Sequence, residues 1–201
     1  MFLRWRCHSP LCEIFANVDE FRYNTAMLGI SQWIEKWTHT QLLLVIRGLV
    51  LFYIFALLVS GITAFPLSWE LGLLCQWFGE GTFVGDAIPA LADWLGYVHK
   101  GIDYNSATFP FYAYGTDWLA FAHIVIAIAF IGPLRDPVRN IWIIHWAMIA
   151  CVLVIPLAFI CGPIRGIPFG WRLIDCSFGV FGIIPLIAIH VMIKQLEKRN
   201  L

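Results

Sequence analysis

Four long apolar stretches constrain this chain more than any other feature of its sequence. They lie at residues 42–65, 117–134, 141–161 and 172–193, and each is about as long as a helix that crosses a hydrocarbon core of ~30 Å. Of the 201 residues, 60% are hydrophobic and only 13% are charged, whereas a soluble domain carries roughly a quarter charged residues. The sequence therefore predicts an all-α integral membrane protein whose four helices form one bundle.

The segments at the two ends of the chain are expected to lie outside the bilayer. Residues 1–41 are predicted to be a polar, partly amphipathic segment, in which apolar side chains recur at helical spacing from Ile30 to Trp37. Such a stripe suits either a helix lying on the membrane surface or a helix packed under the bundle. The transmembrane domain is predicted to cover residues 42–195, and residues 196–201 are predicted to be a short tail.

The segment between the first two spans, residues 66–116, is not a hydrophilic loop. Apolar residues follow helical spacing in two of its stretches, but acidic residues recur too often for a bilayer span. We therefore expect two short interfacial helices that cap the bundle. An aromatic strap follows at residues 109–115, and Thr116 has the side chain of an N-cap for the second span.

Basic residues near the ends of the spans predict the orientation of the bundle. One end holds Lys36, Arg135, Arg139, Lys194, Lys198 and Arg199, and the other holds Lys100, Arg165 and Arg172. The positive-inside rule places the end with more basic residues in the cytoplasm. Both termini are then cytoplasmic and the 66–116 loop lies outside. We expect the protein in the cell membrane, of the bacterial inner-membrane type.

Polar residues close to the outer ends of the last three spans form the first candidate site. They are Asp117, Arg165, Arg172 and Asp175. Arg172 and Asp175 stand three apart on one helix and can pair directly, and Asp175 lies about one turn inside its span, where an unpaired carboxylate is costly. The group is either a pocket for an anionic headgroup, a carboxylate or a quinone oxygen, or an internal ion-pair network that joins the outer turns.

His123 belongs to the same candidate site but lies deeper, about two turns inside the second span. Ionisable residues inside a membrane are candidates for function by default, here as a proton carrier or a ligand. The alternative is a core imidazole that is satisfied by one hydrogen bond. With Asp175, His123 would form the only acid–base pair available to a membrane enzyme that acts on lipids.

Two histidines near the cytoplasmic end, in the same inner-face layer as Arg47, form the second candidate site. His145 lies five residues beyond Asn140, and His190 lies four residues before Lys194, so both imidazoles are ~6 to 8 Å below the boundary. Two histidines that face each other across a bundle can serve as the axial ligands of a haem b. The alternative is a pair of interfacial histidines bonded to water, lipid headgroups or backbone carbonyls. No metal site is predicted, since no carboxylate or thiolate lies at this depth.

Small residues and cysteines predict two contacts between the last two spans. Gly179 and Gly182 have no side chain and allow a neighbouring helix to approach closely. Cys161 and Cys176 lie at facing ends of these spans, where a disulfide is possible if that side of the membrane is oxidising.

The composition and the absent motifs narrow the class of function. A formal net charge of zero gives no reason to expect a nucleic-acid partner, and the chain has no nucleophile elbow, phosphate-binding glycine-rich loop or metalloprotease motif. The leading hypothesis is a non-catalytic accessory protein that binds a lipid-like or other small amphiphile at its outer face. A homo-oligomer and a larger membrane complex are the two assemblies left open for it. The alternative is a haem b or quinone-linked electron carrier, and whether the protein is an enzyme stays open.

Overall fold

A computed structural model of the protein describes residues 34–199. The chain divides into two compact units, residues 1–38 and residues 39–201, and only the last five residues of the first unit are described. Most of the predicted N-terminal segment 1–41, including Ile30 and Trp33 of its apolar stripe, lies outside the described residues. The last two residues of the predicted tail also lie outside them. All elements below belong to the second unit.

Helices account for nearly all of this unit, and no strand occurs between residues 34 and 199. In chain order the helices are α1 (His39–Ala64), α2 (Leu67–Phe78), α3 (Phe83–Ala87), α4 (Pro89–Thr108), a 3₁₀ turn (Pro110–Tyr112), α5 (Ala113–Ala129), α6 (Ile131–Arg135), α7 (Ile141–Ile164) and α8 (Phe169–Arg199). Four helical segments are long and apolar enough to cross a membrane: α1, the run from the 3₁₀ turn to α6, α7 and α8. The prediction of an all-helical chain with four such helices is confirmed.

The second and fourth of these segments are longer than the sequence predicted. The aromatic strap is helical, because Pro110 occupies the first turn of the 3₁₀ segment, where a proline is tolerated. Thr116 therefore lies inside α5 rather than at its N-cap, and its hydroxyl donates to the carbonyl of Ala113 at 2.7 Å. The fourth segment, α8, likewise continues into the predicted tail and ends at Arg199. Leu196, near its end, is only 1% exposed, so packing supports this extension.

The segment between α1 and α5 contains three helices where two short ones were predicted. α4 is 20 residues long and extends ten residues past Val98, the last residue of the apolar repeat that predicted it. α3 is a single short turn that is capped by Thr82, whose hydroxyl oxygen accepts from the amide of Gly85 at 3.0 Å. α4 packs along α2, and Trp94 of α4 contacts Trp171 at the start of α8 with ring centroids 6.4 Å apart. The segment therefore folds against the bundle instead of extending away from it.

The four long segments form neighbouring pairs. α1 packs against α5, α7 against α8, and α8 against α1. We call the end of the bundle where α1 ends and α5 begins the loop end. The opposite end, where α1 begins and residues 136–140 turn between α6 and α7, is the turn end. The largest buried side chains concentrate toward the turn end: Leu42, Ile46 and Val50 of α1, Phe130, Ile144 of α7, and Leu186, Ile189, Ile193 and Leu196 of α8.

Large apolar side chains cover the outside of the same helices. Phe55 of α1 is 66% exposed, and Phe178 and Phe181 of α8 are each 70% exposed. Water would solvate these rings poorly, whereas lipid tails are as apolar as the rings themselves. This outward apolar surface is what a helix bundle in a bilayer requires.

Glycines set the closest approaches between the paired helices. A Cβ atom added at Gly179 of α8 would overlap the carbonyl oxygen of Cys151 in α7 and lie 2.7 Å from Cγ1 of Val154. One added at Gly182 would lie 3.3 Å from Sγ of Cys151. The predicted close approach at both glycines is confirmed. Cys161 and Cys176 are free thiols in this structure.

Candidate functional site

The predicted outer residues all lie at the loop end, but the structure does not join them into one group. Asp117 lies in the first turns of α5, Arg165 is exposed in the turn between α7 and α8, and Arg172 and Asp175 lie in the first two turns of α8. Across residues 34–199, no hydrogen bond or ion pair connects any two of these four side chains. No ion-pair network joins these four side chains in the described part of the chain, and the alternative of a ligand pocket stays a prediction.

The predicted ion pair between Arg172 and Asp175 is absent because Arg172 points the other way. Side chains on a helix tilt toward its N-terminus. The stem of Arg172 runs over Gly162, where a Cβ atom would overlap its Cδ, and its guanidinium carbon lies 5.3 Å from the centre of the Phe169 ring. The stem of Arg172 therefore packs on α7 and its guanidinium forms a cation–π contact within α8, while its Nε atom is buried and has no hydrogen-bond partner.

His123 has the geometry of a core imidazole that is satisfied by one hydrogen bond, which was the second of its two interpretations. Its Nδ1 atom lies 2.8 Å from the carbonyl oxygen of Leu119, one turn earlier in α5, so this nitrogen carries the proton and donates. Its Cβ faces Gly61 of α1, where an added Cβ would lie 3.1 Å away. In the described part of the chain, no hydrogen bond or ion pair joins His123 to Asp175, the other member of the predicted acid–base pair.

A groove at the loop end was not predicted from the sequence. Its volume is about 670 Å³. It is lined by Phe65, Pro66, Leu67, Ser68 and Trp69 at the junction of α1 and α2, by Ile102, Asn105, Ser106 and Phe109 at the end of α4, and by Tyr112, Ala113 and Thr116 at the start of the next span. No residue of the predicted outer group lines the groove, although Thr116 directly precedes Asp117.

Two interruptions of the helices at proline residues create this groove. Pro66 separates α1 from α2, and α4 ends just before Pro110 because a residue that precedes proline avoids helical geometry. The first break places Phe65 and Trp69 on one side, and the second places Phe109 and Tyr112 on the other. The rings of Phe109 and Tyr112 meet edge to face, with centroids 6.3 Å apart. The sequence signal for this site is the aromatic strap at residues 109–115, which contains Pro110 and for which the sequence predicted no function.

The groove combines an apolar wall with a few uncharged polar groups. The side chains of Asn105 and Ser106 make no hydrogen bond to any part of the chain that the structure describes. The hydroxyl of Thr116 donates to its own helix, which leaves its oxygen free to accept. No charged side chain of residues 34–199 lines the groove. An aromatic and aliphatic wall with a few convergent polar groups is typical of a site for a small amphiphilic molecule.

A polar chain behind the groove joins α2 to α4. The hydroxyl of Ser68 donates to the carboxylate of Asp103, whose other oxygen lies 3.3 Å from Nε2 of His99. In a serine hydrolase the imidazole stands between the hydroxyl and the carboxylate, so that it can remove the proton of the serine. Here the carboxylate stands in the middle, and the order does not support nucleophilic catalysis. The chain instead positions Ser68 in the groove wall.

The two histidines of the second candidate site come together at the turn end, as their matched depth suggested. Nε2 of His145 lies 3.0 Å from Nδ1 of His190, and the ring centroids are 4.9 Å apart. Metal–imidazole bonds are ~2 Å long, so two axial ligands need nitrogens ~4 Å apart across a porphyrin plane. The arrangement in the structure leaves no space for that plane, and the two residues do not fit a haem. The haem alternative stays a prediction without support from this geometry.

Between residues 34 and 199, no three histidine, cysteine, aspartate or glutamate side chains are grouped to hold a metal ion.

Comparisons with known proteins assign this chain to no family. The chain matches no protein family, and comparisons with curated proteins and with solved structures likewise give no match. The candidate site therefore rests on the geometry of the chain itself.

Proposed function

We propose that this chain is a multi-pass membrane protein that binds a lipid-like or other small amphiphile without catalysing a reaction. The site is the groove at the loop end. The observation that carries the proposal is the groove itself: a volume of about 670 Å³ with four aromatic side chains and four uncharged polar side chains in its lining. The unbonded Asn105 and Ser106 are then the groups that hold the head of the ligand, and the aromatic rings contact its tail.

The lining also suggests the class of amphiphile. A charged headgroup gains little in a groove that offers it no opposite charge, because losing its water is costly. A neutral head with hydroxyl groups can exchange its water for the amide of Asn105 and the hydroxyl of Ser106. We therefore expect neutral amphiphiles, such as monoacylglycerols, to bind better than fatty acids or anionic phospholipids.

The orientation of the bundle is part of this proposal. The uneven distribution of basic residues supports a cytoplasmic turn end and cytoplasmic termini. The groove then opens on the outer face of the cell membrane, of the bacterial inner-membrane type. A topology reporter fused after Leu201 should be active in the cytoplasm, and one inserted near Gly81, between α2 and α3, should be active outside. The reverse pattern would contradict the orientation but not the groove.

Photo-crosslinking tests the site directly. A monoacylglycerol that carries a diazirine in its acyl chain should label residues 65–69 and 102–116 in the purified protein. Ser106→Phe fills the groove and should reduce that labelling by about tenfold. Ala107→Phe is the matched control, since Ala107 is equally exposed on the next position of α4 but does not line the groove. Labelling that is spread evenly over the four spans, or that Ser106→Phe leaves unchanged, would refute the proposal.

A further inference from the structure

A second cavity lies at the turn end, far from the groove along the bundle. Its volume is about 460 Å³. The start of α1 contributes His39 and Arg47 to its lining, the end of α6 contributes Arg135, and the turn that follows contributes Arg139. Arg47 therefore lines one space with two arginines that lie about 90 residues later in the chain. Arg135 and Arg139 indicated the orientation of the bundle, and the sequence predicted no cavity that joins them to Arg47.

The arginine side chains are largely free to bind a ligand. In the described part of the chain, the guanidinium groups of Arg135 and Arg139 form no ion pair or hydrogen bond. The guanidinium of Arg47 donates only from Nε, at 3.2 Å to the carbonyl oxygen of Leu134. This bond holds Arg47 beside the turn and leaves its two terminal nitrogens without a partner. Each guanidinium thus retains paired donors.

The end of α6 and the turn after it, which carry the other two arginines, are held in place by hydrogen bonds of their own. The carboxylate of Asp136, the only acidic group that residues 34–199 contribute to the lining, accepts from the backbone amide of Arg139 at 3.0 Å. The side chain of Asn140 donates to the carbonyl oxygens of Gly132 and Asp136 at 3.1 and 2.9 Å. One oxygen of Asp136 is thereby bonded to the turn, and no arginine of the described residues pairs with the carboxylate. Among residues 34–199, three arginines and one carboxylate line the cavity.

The position of Arg47 indicates that the ligand of these arginines carries a negative charge. Arg47 lies eight residues after the start of α1, which is ~12 Å along the helix axis. Its neighbours Ile46 and Val50 are fully buried, and Leu44 and Leu51 are exposed apolar side chains. A charge at the boundary of the hydrocarbon is costly unless an opposite charge accompanies it. Leu43 and Leu196 add an apolar wall to the same cavity.

We propose that this cavity binds a phosphate group between Arg47, Arg135 and Arg139. The planar guanidinium matches two phosphate oxygens at once, and several such forks around one anion give strong, charge-assisted hydrogen bonds. The phosphate comes either from the headgroup of an anionic phospholipid, whose acyl chains then lie along the exposed face of α1, or from a free phosphate ion. This site does not depend on the proposed amphiphile groove or on the orientation of the bundle.

Native mass spectrometry of the full-length protein in detergent tests the site. Added phosphatidylglycerol should bind to the wild type in preference to zwitterionic phosphatidylcholine. The double variant Arg135→Gln/Arg139→Gln should bind phosphatidylglycerol about tenfold more weakly or worse. Lys100→Gln/Lys198→Gln removes the same charge from two exposed lysines outside the cavity, one of them near the turn end, and should leave binding within about twofold.

Inorganic phosphate, added as a competitor, distinguishes the two sources. Displacement of phosphatidylglycerol by phosphate at millimolar concentration indicates a site for the free ion, and resistance to it indicates a lipid site. Equal binding by the wild type and the double arginine variant would overturn the proposal, as would an equal loss in the lysine control. Far-UV circular dichroism checks that each variant is folded, and the two single arginine variants replace the double variant if it does not fold.

Discussion

The crossing of α7 and α8 at Gly179 gives the sharpest test of how this bundle is held together. Gly179→Ala adds one methyl group where the carbonyl oxygen of Cys151 already lies, with Val154 Cγ1 at 2.7 Å. Ordinary van der Waals contact begins at 3.4 Å. The obstacle is backbone, which cannot rotate away as a side chain can, so the two helices must separate along the crossing.

The expected cost of this separation is substantial for a membrane bundle. Inserting a methyl group into a well-packed core typically costs about 1–3 kcal/mol. We expect the upper half of that range, because close packing rather than the hydrophobic effect holds helices together in lipid. The same substitution gains up to ~1 kcal/mol in helix propensity, which a control variant must cancel. Gly48→Ala provides that control, since it lies inside α1 with no atom within 4 Å of an added Cβ.

Unfolding in mixed micelles, followed by circular dichroism, measures the difference between the two variants. Gly179→Ala should unfold at a lower denaturant fraction than the wild type, and Gly48→Ala should unfold at the wild-type value or slightly above it. Gly182→Ala should fall between them, because its added Cβ would meet Sγ of Cys151 at 3.3 Å, a side-chain atom that can move. If Gly179→Ala is as stable as Gly48→Ala, the described crossing of α7 and α8 is incorrect.

Three further predictions concern individual contacts. Tyr53→Phe removes the hydroxyl that donates to the carbonyl of Gly182 and should lower the free energy of unfolding by roughly 0.6 kcal/mol; an unchanged value in the same micelle titration would argue against the bond. Protein purified from haem-replete cells should show no Soret band, since His145 and His190 are in direct contact; a band that is lost in His145→Ala would restore the haem alternative. Thr82→Ala removes the cap of α3 and should speed hydrogen exchange of its first amides by about fivefold, for a cap of ~1 kcal/mol; unchanged exchange would mean that the cap contributes nothing.

The two proposed sites have complementary chemistry and lie at opposite ends of the bundle. The groove at the loop end offers aromatic walls and uncharged polar groups, and the cavity at the turn end offers arginines. A neutral amphiphile and a phosphate group are therefore expected to bind independently. Occupancy of one site in the presence of the ligand of the other can be read in a single mass spectrum.

The sequence by itself determined the features that depend on position along a helix. The length and apolar content of a stretch decide whether it can cross a bilayer, and both can be read without knowing its neighbours. Depth follows in the same way from a rise of 1.5 Å per residue, which is why the matched levels of His145 and His190 were predicted. The close approach at Gly179 and Gly182 was also readable, because a missing side chain on a span has few other consequences.

Only the tertiary structure decided which side chains meet around and between the helices. Arg172 and Asp175 have the spacing of a pair, but the space above Gly162 draws the arginine stem toward Phe169. The groove at the loop end exists because two proline breaks, 44 residues apart in the chain at Pro66 and Pro110, are brought face to face. Spacing along one helix specifies height and an approximate face, whereas the partner on that face depends on how every other helix packs.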